Sequence, residues 1–141
     1  MNKSPAVIFE HYEPLECCHC GKDLLEAGDG IFALVHKRGD HSKYVDAYWA
    51  CRRQCDREMK AIYRSQGCLT GWHSIKDLTI PHEYLWWIMS VLKKIEKGRF
   101  EQDAFKKTKI FSLKVAQMVM RETTEEERDR LTEVDVMRGV I

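Results

Sequence analysis

No run of apolar residues in this sequence approaches the ~18 that a membrane-spanning helix needs, so no membrane partner is expected. The opening segment, MNKSPAVIFEHYE, lacks an apolar stretch long enough for a secretory leader. Nothing points to export, and a reducing, cytoplasmic setting is expected. Internal repeats and low-complexity tracts are missing as well. So are catalytic signatures: no Ser-His-Asp arrangement, Gly-rich phosphate loop or His-Glu-x-x-His pattern can be placed. A non-enzymatic protein is expected. Net charge is only +1, which selects no class of partner by itself.

Cysteine, by contrast, is concentrated: four of the six fall in two close pairs, Cys17/Cys20 and Cys51/Cys55. In a reducing compartment, clustered cysteines are more often metal ligands or catalytic groups than disulfides. Cys17-x-x-Cys20-Gly21 has knuckle spacing, in which two sulfurs reach one ion from a tight turn and the glycine lets the chain leave it. The pair Cys51-x-x-x-Cys55 is expected at the start of a helix, where i, i+4 spacing stacks both side chains on one face. A helix N-terminus also favours thiolate. The four are expected to hold one zinc ion, and four thiolates fill the shell that a catalytic zinc leaves open. The competing readings are a thioredoxin-like redox pair at Cys17 and Cys20, without the surrounding βαβ context, and inert buried cysteines. Cys18 or His19 is an alternative ligand. Cys68 falls past the helix and reads as a core residue.

Hydrophobic patterning suggests the order of parts. Residues 6–13 read as an extended lead-in. The β-branched and aromatic segments 31–36 and 43–49, joined by KRGDHS, read as a β-hairpin. A helix is expected from Ala50 to Gln66, closed by Gly67. Residues 68–79 read as irregular, and a second helix runs from Pro81, which suits a first-turn position, to Gly98. Residues 99–122 are expected to be helical, in one piece or two broken near Thr108. Thr124-Glu125-Glu126-Glu127 has the capping-box pattern that opens a final helix. The expected fold is α+β: a zinc module over residues 1–70 packed on a mainly helical region over 71–141, or one continuous domain.

The succession of knuckle, hairpin and ligand-bearing helix over residues 15–66 resembles the treble-clef zinc finger superfamily. Here three residues rather than two separate the helix ligands. The resemblance implies a fold and carries little function, although treble-clef helices often contact nucleic acid. Some metal nucleases with a similar hairpin-helix core carry a base histidine on the hairpin, where His36 and His41 fall. The His or Asn ligands those enzymes need on the helix are replaced by Cys51 and Cys55.

Projected at helical spacing, Cys51, Cys55, Met59, Ile62 and Tyr63 share one face. Arg53, Arg57, Lys60 and Arg64 form a basic stripe opposite, with Asp56 and Glu58 at its flanks. Like charges stacked in this way repel one another. The stripe therefore reads either as a DNA or RNA phosphate contact or as a solvated face, one that could pair with the acidic C-terminal helix. On the Pro81 helix, Tyr84, Leu85, Trp87, Ile88, Met89, Val91, Leu92 and Ile95 make an apolar arc. Trp86 lies on the polar side, placed either to stack on a base or partner or to pack beneath a following helix. Residues 110–120 are apolar almost all round, as in a bundle centre or a dimer seam. Charge is graded: residues 93–114 hold eight basic and three acidic groups, and residues from 115 onward four and seven. The expected function is binding of nucleic acid through the stripe and Trp86, with a protein-interaction adaptor as the alternative.

Overall fold

A computed structural model of the chain describes residues 12–120. Most of the extended lead-in at 6–13, and the helix expected after Thr124, lie outside the described residues. The elements are α1 (Leu24–Ala27), β1 (Gly30–Lys37), β2 (Asp46–Cys51), α2 (Gln54–Ser65), β3 (Cys68–Ser74), α3 (Ile75–Leu78), α4 (Pro81–Glu96) and α5 (Gln102–Met120). The fold is mixed α+β around a three-stranded antiparallel sheet ordered β2-β1-β3.

The central strand, GIFALVHK, is buried along most of its length, because both faces of the sheet are covered. Successive side chains of a strand point to opposite faces. Phe32 and its cross-strand partner Trp49 face α4 and α5. There Phe111 stacks on Phe32 at 4.2 Å and on Trp49 at 5.9 Å, and Trp87 meets Phe32 edge-on at 5.5 Å. The next pair along, Ala33 and Tyr48, faces α2, whose Tyr63 stacks on Tyr48 at 5.4 Å. Asp46, at the start of β2, ties both layers to the sheet. It accepts from the Tyr63 hydroxyl of α2 and from Lys107 Nζ of α5, each at 2.7 Å. One hydrophobic core runs from Leu15 to Val115 through all three layers, and residue 70 lies within β3.

Several expectations require correction. Residues 68–74 form an edge strand rather than an irregular connector, pairing with β1 from Ile31–Ser74 to Lys37–Cys68. Gly71 at its middle and only partial burial remove the alternation by which a strand is recognised. Helix α2 begins at Gln54, not Ala50, because Cys51 is still hydrogen-bonded in β2 and Arg53 turns the chain with φ 76°. Ile62, expected on the buried face, is 48% exposed. Gly67 closes the helix as expected, with φ 76° and its N–H donating to the Arg64 carbonyl. Helix α4 starts at Pro81 as expected, and α5 passes through Thr108 unbroken.

Thr108 is 2% exposed, and among the described residues its Oγ1 has no hydrogen-bond partner. A buried hydroxyl left unpaired costs ~1–3 kcal/mol. Thr108→Val should therefore raise the free energy of unfolding by about 1 kcal/mol in a denaturant titration. A loss of similar size would show that the hydroxyl is satisfied.

Candidate metal centre

Three separate backbone devices bring the cysteines together. The knuckle is a short loop closed at its base by the Glu16–Asp23 bridge. Within it, Cys17 N–H donates to Lys22 O, Gly21 N–H donates to Cys17 O, and Gly21 takes φ 82°. Cys18 N–H donates to Trp49 O at 2.9 Å, which fastens the knuckle to β2. Cys51 ends β2, the turn at Arg52 and Arg53 reverses the chain, and Cys55 stands in the first turn of α2. The second pair is thus divided between a strand end and a helix start, and does not share one helix face as its spacing suggested.

The four sulfurs nevertheless converge: Cys17, Cys20, Cys51 and Cys55 lie within 4.8 Å of one another, and Cys20 Sγ is 3.6 Å from Cys51 Sγ. A tetrahedron with metal–sulfur bonds of ~2.3 Å has edges of ~3.8 Å, so the cluster has the dimensions of one ion. A disulfide would need ~2.05 Å, and all six cysteines are free thiols. Neither Cys18 nor His19 joins the group, and both are exposed. Cys68 is buried at the start of β3, away from it.

The electrostatics suit thiolate ligands. Burial pushes the Cys17 thiol up, but the N–H groups of Cys20, Cys51 and His19, each 3.4 Å from its sulfur, outweigh that and bring it down to about 6. Burial, and then the neighbouring sulfurs of Cys20 and Cys17, push Cys51 up to about 12 and Cys55 up to about 11. A bound divalent cation would override both upward shifts, because a coordinating thiol is deprotonated outright.

The pH dependence follows from Cys17. Its folded value of about 6 lies below the ordinary 9.0, so its stabilising contribution is present above the ordinary value. That contribution is lost as pH falls through about 6. Protons compete with the metal for the same thiolates. Metal release to a chromophoric chelator should therefore rise steeply as pH falls through and below that window. Release independent of pH would exclude thiolate ligation.

The four stripe residues also fall together and, with Asp56, line a shallow hollow along α2. Arg53, Arg57 and Arg64 are exposed, and among the described residues none makes an ion pair. Asp56, expected at the flank, is buried instead. It accepts from the Tyr48 hydroxyl at 2.7 Å and pairs with Lys60 at 3.2 Å. Lys60 is therefore partly neutralised by the carboxylate one turn before it, and it is the burial of Asp56, set by Tyr48 on β2, that the sequence does not disclose. Trp86 is 61% exposed on α4 and donates its indole N–H to His82 at 3.1 Å. It does not pack beneath another helix among the described residues, and it lies across the sheet from the stripe. Comparison of the chain with protein-family models, curated proteins and solved structures gave no match.

Proposed function

We propose that this chain is a non-enzymatic protein in which one zinc ion at Cys17, Cys20, Cys51 and Cys55 braces a nucleic-acid-binding helix, α2. An all-sulfur, four-coordinate donor set favours zinc and leaves no open position for catalysis. The order of knuckle, hairpin and helix supports the treble-clef likeness, with β3 as an added edge strand. The observation that carries the nucleic-acid reading is the placement of three exposed arginines and Lys60 along one hollow of α2. Arg53 stands in the turn between two ligands, so the metal fixes where the stripe begins. Such groups neutralise backbone phosphates and release counterions without reading sequence. Trp86, on the far side of the sheet, takes no part in this surface.

Arg57 and Arg64 are the informative positions for a test. Lys60→Ala would strand the buried Asp56, and Arg53 holds a left-handed backbone. Arg57→Ala with Arg64→Ala should weaken binding to all DNA or RNA sequences alike and reduce the salt slope by about two units. Stability should be unchanged. An unaltered slope, or a parent protein that binds no nucleic acid at low salt, would end this reading.

A second reading, a protein-interaction adaptor, rests on a different observation. The apolar arc of α4 is only half covered: Trp87 and Val91 are buried, whereas Leu85, Met89 and Leu92 are exposed. Between α4 and α5 a groove of about 240 Å³ is lined by Ile88, Leu92, Ile95, Phe105 and Leu113. Exposed contiguous apolar surface of this kind marks protein contacts. Ile110 and Leu113 of α5, both partly exposed, would lie in a dimer seam over residues 110–120. Salt-insensitive association, with a partner or with itself in sedimentation, would favour this reading.

A further inference from the structure

At the end of the sheet away from the four clustered cysteines, five cationic or imidazole side chains meet around one hollow. Cys51 pairs with Gly30 at the start of β1, and His36 lies six residues further on, ~20 Å along the strand at the rise of extended chain. His36 of β1, His73 of β3, Lys94 of α4, and His41, Tyr44 and Arg99 from connecting segments line a cavity of about 290 Å³. No carboxylate lines it. Asp40, one residue before His41, is exposed and accepts from Ser42.

We propose that this hollow binds a small phosphate-bearing anion. The donors are held in place before any ligand arrives. Arg99 donates to His41 O at 2.8 Å and lies 4.9 Å over the Tyr44 ring. Tyr44 N–H in turn donates to Arg99 O at 2.7 Å. The rings of His36 and His41 are 4.4 Å apart, and Lys94 is steadied by Ser90 Oγ at 2.6 Å. Like charges are thus gathered on one concave surface, and an anion is the species that relieves their repulsion. The environment agrees: burial, then Lys94, holds His73 below its ordinary value, and burial, then Arg99 and Lys97, does the same to Lys94.

A metal ion is the wrong occupant. Among the described residues only the four cysteines are placed to share one, and Lys94 and Arg99 repel cations. The volume sits at or below the lower end of the range for ligand pockets, ~300 Å³, which suits phosphate with at most a small attached group. The hollow opens on the α4 side of the sheet, opposite the α2 stripe, so it stands or falls independently of nucleic-acid binding.

The test is a titration of the full-length, zinc-loaded protein with inorganic phosphate, followed on the histidine ring resonances at constant ionic strength. Saturable shifts at His36, His41 and His73 are expected, with no response to chloride. Loss of one charge-assisted contact in Lys94→Gln should weaken phosphate binding about tenfold, and Arg64→Ala should leave it unchanged. His36→Gln provides a second variant should Lys94→Gln misfold. Glycerol phosphate in place of phosphate separates an ester from the free anion, and saturation by either upholds the site. Shifts that never saturate, an equal response to chloride, unchanged affinity in both folded variants, or displacement of phosphate by duplex DNA would overturn it.

Discussion

Cys17→Ser is expected to abolish zinc binding and to unfold the whole chain, not only its first half. Structural zinc contributes apparent binding free energies of ~10–16 kcal/mol in small modules, comparable with or larger than the ~5–15 kcal/mol by which a domain is stable. Cys17 is 4% exposed and sits in the same core as Leu15, Phe32 and Phe111. Cys51→Ser should behave alike. In Cys18→Ser the metal should stay, because that side chain is exposed outside the sulfur cluster. Cys68→Ser should lose some stability but keep its zinc, being buried in β3 away from the site. Chelation followed by circular dichroism should show one cooperative transition, since α5 packs on the strand that carries Cys51. Helix signal surviving chelation would mean that α4 and α5 fold without the sheet.

The second large effect belongs to Phe111. It is fully buried and meets Phe32, Trp49 and Trp87 with ring centroids 4.2, 5.9 and 5.4 Å away. It therefore joins α5, both strands of the hairpin and α4. Phe111→Ala should cost ~3–5 kcal/mol through lost contact and the cavity left behind, which is a fall of ~10–20 °C in Tm for a chain of this size. Zinc stoichiometry should be retained at low temperature. Trp86→Ala is the contrast: it should change stability by no more than ~0.5 kcal/mol. Equal losses in the two variants would show that Trp86 is covered by the rest of the protein.

Much of the candidate site was legible in the sequence because its chemistry is local. Cys17-x-x-Cys20-Gly21 is a turn by spacing alone, and the hairpin between the two cysteine pairs was marked by β-branched and aromatic residues. The detail at Cys51 was not legible. Left-handed backbone normally announces itself through glycine, and here Arg53 adopts it, so the break between strand and helix left no mark. Strand β3 leaves no mark in the sequence for a related reason. Its stability comes from backbone pairing with a buried neighbour, which leaves little pattern in Leu69-Thr70-Gly71-Trp72. The sequence also placed Asp56 beside the stripe by helical projection alone. Its burial depends on Tyr48, a partner supplied by tertiary structure. The separation of Trp86 from the stripe has the same origin, because which face of a sheet a helix covers is decided by packing and not by local spacing.

The most direct test of the metal centre is zinc-edge X-ray absorption on protein purified under reducing conditions, with metal content measured on the same sample. One zinc per chain with four sulfur neighbours at ~2.3 Å is expected. A folded chain carrying no metal, or a shell containing nitrogen or oxygen, would contradict the assignment of Cys17, Cys20, Cys51 and Cys55 as its four ligands.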